Sequence, residues 1–307
     1  MVVDGASTDL TQDVLGGFCE RYPGLRYFRE PVNSGVDQDY DKCVGYANGE
    51  YCWLMTDDDL LRPGAVGLVL ARLAADEPDL LVVDAEVRDA DLGQVLGTRL
   101  RHLPPDKSYG DGQAASVLRE IGSHLSFIGC IVIRRRLWLA RDRASYYGSL
   151  FIHVGVIFQQ PPLERVSLIT SPLVTIRYGN AMWMPRWFEI WSFKWPELIW
   201  SFQAFSDADK SAVTAREPWR RAKTLLLWRA TGGYTLAEYR RFLRGRATGV
   251  ARFVALAIAL MPGKLANALA GIYLGLFRRE ARVEMYDLLA GPHATRIART
   301  VARYLRR

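Results

Sequence analysis

The run Gly49-Glu50-Tyr51-Cys52-Trp53-Leu54-Met55-Thr56-Asp57-Asp58-Asp59 constrains this chain more than any other stretch. Its first half is short, aromatic and apolar, which reads as a buried strand. Its second half sets three carboxylates where that strand runs out. Adjacent like charges repel, and desolvating them is costly unless a cation shares the site. An oxygen-only cluster suits a hard divalent ion, Mg or Mn. Pro63-Gly64 then turns the chain into a helix. An acidic surface turn would carry the same triplet, so its meaning depends on the residues around it.

Those residues alternate in type. Val2-Val3 is a strand stub closed by Asp4-Gly5-Ala6-Ser7-Thr8-Asp9, with Ser7 or Thr8 placed to cap a helix from near Leu10. Leu25–Phe28 reads as a strand, Asn33-Ser34-Gly35 as a turn and Asp37–Ala47 as a helix. Strand Tyr51–Met55, helix Ala65–Ala75 and strand Leu80–Ala85 follow. Strands alternating with helices predict an α/β domain: a mostly parallel sheet with helices on both faces. Ligands of such sheets sit beyond the carboxyl ends of the strands, so Asp4 and Asp57–Asp59 are expected to face one crevice.

The order Asp4-x-x-Ser7-x-Asp9-x-Thr11, Asn33-x-Gly35, Ala47-x-Gly49-Glu50-Tyr51 and Asp57-Asp58-Asp59 with Pro63 resembles family-two glycosyltransferases of the GT-A fold. The Trp53-x-x-x-Asp57-Asp58-Asp59 form looks most like bacterial transferases that build O-antigen or capsule repeat units. The resemblance implies roles. Asp4 would bond the uracil or other base and the ribose of a nucleotide-sugar, and Ser7 and Asp9 would shape that loop, with Asn33 and Gly35 nearby. Asp58 and Asp59 would hold Mn or Mg against the diphosphate, with Asp57 beside them. In the family's usual D-x-D-D form the first Asp aligns with Thr56 here, so which carboxylate ligates stays open. The family also opens with a strand and helix ahead of the Asp4 loop. These are absent from this sequence, which predicts an uncovered sheet edge and a weakened base pocket. A relic that binds sugar nucleotides without turnover is therefore the alternative. A haloacid-type phosphatase reading of Val2-Val3-Asp4-Gly5 would need a second Asp at position 6, which is Ala6.

Beyond residue 85 the strand Ser126–Ile133 is expected to end on Arg134-Arg135-Arg136, and Val166–Thr170 to form a further strand. The resemblance places an acceptor base near 146–156, yet no Asp or Glu occurs from Ser145 to Gln160. His153 is the one titratable candidate there with a suitable ordinary pKa, and a packed core histidine is the alternative.

The 307 residues divide by charge: residues 1–100 are acidic, net −11, and the remainder basic, net +18. Four scattered cysteines without a C-x-x-C pair argue against a disulfide framework or zinc site and fit a reducing compartment. A boundary is expected near residue 180, between a GT-A domain (1–180) and a helical, Trp-rich, basic region (181–307). Trp183, Trp187, Trp191, Trp195 and Trp200 fit either a membrane–water boundary or an internal packing face. Ala251–Leu260 and Leu265–Phe277 are apolar but broken by Met261-Pro262-Gly263-Lys264, which favours interfacial helices over a span. The last helix sets Arg296, Arg299, Arg303, Arg306 and Arg307 along one side, with Ile297, Val301, Tyr304 and Leu305 on another. These features predict a peripheral protein at the cytoplasmic face of the plasma membrane, with anionic lipid and a lipid-linked or polysaccharide acceptor as partners. No nucleic-acid recognition motif accompanies the basic charge.

Overall fold

The computed structural model describes residues 1–100, 102–179, 186–278 and 280–305. The chain opens β1 (Val2–Asp4), α1 (Thr11–Arg21), β2 (Tyr27–Arg29), α2 (Val36–Tyr46), β3 (Tyr51–Trp53), β4 (Leu60–Leu61) and α3 (Ala65–Asp76). It continues β5 (Leu80–Arg88), β6 (Val95–Thr98), β7 (Ser108–Tyr109), α4 (Ala114–Ile121), β8 (Ile131–Arg134), α5 (Arg135–Ala140), α6 (Ile152–Phe158) and β9 (Val166–Arg177). Helices follow: α7 (Trp187–Glu189), α8 (Trp195–Ser201), α9 (Asp207–Val213), α10 (Ala222–Thr231) and α11 (Leu236–Glu238). The chain ends with α12 (Gly249–Leu260), α13 (Gly263–Phe277), α14 (Arg282–Ala290) and α15 (Arg296–Leu305).

Two compact units form. The first holds Met1–Ala85, Leu100–Val174 and Phe202–Asp209; the second holds Glu86–Arg99, Thr175–Ser201 and Lys210–Arg307. In the first, strands run β3-β8-β5-β9-β4, with β7 on β9. β8 lies antiparallel to both β3 and β5, so β3 and β5 point the same way without touching. The sheet is mixed rather than mostly parallel, because a strand arriving late in the chain inserts between two that chain order would pair. Its centre is dry: Leu80, Leu81, Val82 and Val83 of β5 and Ile131 and Ile133 of β8 are fully buried. All seven residues of α6 are buried as well.

β1 and β2 pair in parallel, Val2 opposite Tyr27 and Asp4 opposite Arg29, as a two-stranded sheet apart from the larger one. Their cover is thin. α1 buries no residue, and Leu10, Val14, Phe18 and Tyr22 are exposed.

The second unit is helical apart from β6, which pairs antiparallel with the Glu86–Arg88 end of β5. Gly271 and Gly275 of α13 let α15 approach closely: an added Cβ would meet Ala298 at 3.0 Å and Val301 at 2.4 Å. The described tryptophans pack inward. Trp195 is buried, Trp187 lies edge-on to Trp228, and Trp191 lies edge-on to Trp195. Trp200 donates to the Thr214 carbonyl at 3.1 Å. The internal-packing alternative is thus the observed one for these four, while Trp183 lies outside the described residues. In α15 the inward side is Ala298 and Ala302, and Ile297 and Tyr304 are exposed rather than packed. Arg306 and Arg307 lie outside the described residues.

Candidate functional site

Asp4 ends β1 and is 4% exposed. The Ser7 backbone N–H donates to its Oδ1 at 2.7 Å, and the Tyr27 hydroxyl donates to Oδ2 at 2.6 Å. Arg29 stands 3.9 Å away. Burial pushes the Asp4 carboxyl up, but the bonds from Ser7 and Tyr27, with the Arg29 charge, outweigh it and hold the group below its ordinary value. Asp4 is therefore held as an anion. Tyr27 and Arg29 could not be read from the local motif, because strand pairing brings them in from twenty-odd residues away.

The other loop residues take local roles. Asp9 accepts from the Thr11 N–H at 3.0 Å and from its hydroxyl at 2.5 Å, which holds its pKa down. Asp9, rather than Ser7 or Thr8, therefore organises the start of α1. Asn33 Oδ1 accepts from the Gly35 N–H at 2.9 Å, and Gly35 takes φ 88°, where a side chain would be strained.

α2 links these pieces. Asp39 accepts from Ser34 at 2.8 Å on one side. On the other it lies so close to Gly5 that an added Cβ would sit 2.4 Å from its Oδ2. Lys42 donates to Glu30 at 2.6 Å and to Ser34 at 2.9 Å. Tyr40 points toward the acidic turn and its hydroxyl lies 3.5 Å from the Met55 carbonyl. Burial raises the Tyr40 phenol first, then the nearby Asp59 carboxylate, with Cys43, Asp57 and Asp58 adding to it. One helix thus touches both the Asp4 loop and the neighbourhood of the triplet, which brings the two predicted halves of the site onto a common support.

Asp57 and Asp58 form an exposed turn; Asp59 is half-buried and accepts from the Thr56 hydroxyl. Among the described residues no three His, Cys, Asp or Glu side chains converge to hold a metal by themselves. The donor set still fits a hard cation, because Mg is commonly bound through one or two carboxylates with substrate phosphates completing its shell.

Asp37 and Asp41 share another face of α2, four residues apart. Asp37, 4% exposed, accepts from the backbone N–H groups of Leu150 at 2.8 Å and Ile152 at 3.0 Å. Asp41 accepts from Trp138 Nε1 at 2.9 Å and from Tyr147, and pairs with Arg143. Together they fix the segment that leads into α6. Their i, i+4 spacing was the available signal for a shared role.

His153 sits in α6 at 2% exposure, with Nε2 2.7 Å from the Leu125 carbonyl. Burial lowers its pKa to about 4, with the Leu125 bond opposing. The ring is a neutral part of the core, enclosed on all sides. That placement counts against the acceptor-base role expected for it, since a base must reach the hydroxyl it deprotonates.

Residues 1–138 match the family model described as glycosyl transferase family 2. The abequosyltransferase RfbV of Salmonella typhimurium is 26% identical over 190 residues, which cover 58% of this chain and 57% of that protein. The chain thus spans little more than half the length of that curated relative. The crystal structure of S. aureus TarS 1-349 in complex with UDP superposes over 99% of this chain and 81% of that one, with TM-score 0.50 and 14% identity. That likeness concerns the fold alone.

Proposed function

We propose that this chain, whose residues 1–138 match the model of glycosyl transferase family 2 and whose fold is GT-A, moves a sugar from a nucleoside-diphosphate donor to an acceptor in cell-surface glycan synthesis. The acceptor in this reading is a lipid-linked or polysaccharide hydroxyl, and transfer inverts the glycosidic carbon. The reaction is placed at the cytoplasmic face of the plasma membrane, peripheral to it.

One observation carries the reading: an ionised, inward-held Asp4 and an acidic turn at Asp57–Asp59, both supported by α2. Asp4 receives donors of the base and ribose, while Ser7, Tyr27 and Arg29 hold it in place. Asp9, Asn33 and Gly35 fix the loops on either side. Asp58 and Asp59, with Asp57 adjacent, would hold a divalent ion, Mn or Mg. When bound, such an ion would offset negative charge on the diphosphate leaving group. The β1–β2 pair, separate from the main sheet, favours a second reading in which the crevice binds sugar nucleotides without turnover.

Calorimetry of UDP with Mn, beside a transfer and hydrolysis assay on several nucleotide-sugars, tests both. The Asp58→Ala/Asp59→Ala pair is expected to weaken metal-dependent UDP binding and lower transfer by about a thousandfold. Binding without turnover supports the second reading. A folded protein indifferent to Mn and UDP removes both.

A further inference from the structure

α12 and α13 are apolar on two opposite sides. Inward, α12 buries Ala255, Ile258 and Ala259, and α13 buries Ala266, Ala270 and Leu274. Outward, α12 exposes Val250 (79%), Phe253 (74%) and Leu260 (61%), which recur at helical spacing on one stripe. α13 does the same with Leu265, Leu269, Ile272 and Leu276, spaced four, three and four apart. A helix that is apolar all round belongs in a core or against lipid, and here only half of each is in a core. Neither helix is long and apolar enough to cross a membrane, and the two meet at 106° across Met261-Pro262.

Along the sequence the charge of this stretch has one sign, although Arg278 also pairs with Glu284 at 3.9 Å. Between Glu238 and Glu280 the sequence holds eight basic residues and no acidic one. Arg252, Lys264 and Arg278 are exposed on these two helices and at the end of α13. A second copy of this chain would be a poor cover. A two-fold interface apposes a patch to itself, which here would set the exposed Arg252 and Lys264 of one copy against the same cations of the other. The 106° bend also prevents one continuous helical seam from running over both stripes. Anionic head groups complement both the apolar stripes and their basic rim.

We propose that the outward stripes of α12 and α13 form a docking surface that enters the head-group boundary of an anionic bilayer, with Arg252, Lys264 and Arg278 on the phosphates. The inference rests on the peripheral placement proposed above and names the surface that would make it, independently of the transfer chemistry. Docking needs neither donor nor metal, so a chain that binds vesicles but transfers nothing still satisfies it.

The test is co-sedimentation of the full chain with phosphatidylcholine vesicles, with and without phosphatidylglycerol, at low and high salt. Binding is expected only with phosphatidylglycerol and is expected to fall at high salt. Leu269→Glu and Phe253→Glu, each on an exposed position, should weaken it about tenfold while circular dichroism and thermal melting stay unchanged. Absence of binding by the folded chain overturns the proposal, as does binding that neither variant weakens. Sedimentation equilibrium in the absence of lipid supplies the remaining arm. A dimer that Leu269→Glu dissociates assigns the stripe to a second copy instead.

Discussion

α2 in the first unit and α13 in the second do comparable jobs with opposite chemistry. α2 buries only Asp37 and Val44, yet its carboxylates, Tyr40 and Lys42 reach the Asp4 loop, the acidic turn and the entry to α6. α13 buries mostly small residues that let α10, α14 and α15 close in, and one amide, Asn267. Asn267 donates to the Ala230 and Leu288 carbonyls at 3.3 and 2.9 Å and accepts from the Thr295 N–H and hydroxyl at 3.0 and 2.9 Å. In the first unit the groups that hold the fold are also the groups nearest the proposed site. In the second, packing and the proposed docking use different faces of the same helices. Substitutions should therefore mix stability and activity in the first unit and separate them in the second.

The largest break in that contrast is Asp37→Ala. It leaves the Leu150 and Ile152 N–H groups buried without their carboxylate, at a cost of about 4 kcal/mol in denaturant unfolding. Transfer should fall with it, because the 150–152 segment loosens. Asp37→Asn, which keeps an acceptor for one of the two donors, should recover about half of that stability. Equal stability in Asp37→Ala and the parent would show that α2 does not hold α6.

His153 sharpens the contrast through pH. Its folded pKa, near 4, lies below the ordinary value of 6.5, so the neutral ring favours folding above 6.5 and that contribution is lost as pH falls toward 4. The parent should lose on the order of 3 kcal/mol across this window. His153→Gln should flatten the slope while leaving transfer within a few-fold. A hundredfold loss of kcat in that variant, with the slope intact, would restore the base role to His153.

Asn267→Ala tests the second unit. Four partners lose their amide in a fully buried position, and stability should drop by about 2 kcal/mol. Vesicle binding per folded molecule and nucleotide affinity should be unchanged. A shift in UDP affinity at equal folding would break the separation claimed for this unit.

The sequence made some of this legible and hid the rest for identifiable reasons. α2, α3, α12 and α13 fall within two residues of their expected ends, because their turn and Gly signals are local. The strand expected over Ser126–Ile133 is two short turns followed by β8 from Ile131. Phe127 folds its ring over Gly129, where an added Cβ would lie 2.4 Å from it. An apolar run reads alike for a buried turn and a buried strand. β9 continues past Pro172 to Arg177, although proline usually breaks a strand; it is tolerated where its missing N–H is not required. At the site, Asp4 and its Ser7 contact were visible in one loop. Tyr27, Arg29, Asp39 and Tyr40 were not, because strand pairing and helix packing deliver them, and no local motif encodes either.

The smallest effect lies in the second unit, at Asp287. The Tyr178 hydroxyl donates to its Oδ2 at 3.0 Å, and Tyr286 packs edge-on against Tyr178. Burial pushes the Asp287 carboxyl up to about 7; the Tyr178 bond opposes this and Glu284 adds to it. A carboxyl whose folded pKa is raised favours folding below its unfolded pKa near 3.8, and that contribution is lost as pH rises through 7. Asp287→Asn keeps an acceptor for Tyr178 without the charge. It should match the parent near pH 4 and exceed it at pH 8 by about 1 kcal/mol, the partial exposure of the carboxyl limiting the gain. An equal difference at both pH values would mean the shape of the side chain, rather than its ionisation, sets the stability there. It would then place this unit's buried polar pair with Asn267, as packing that owes nothing to charge.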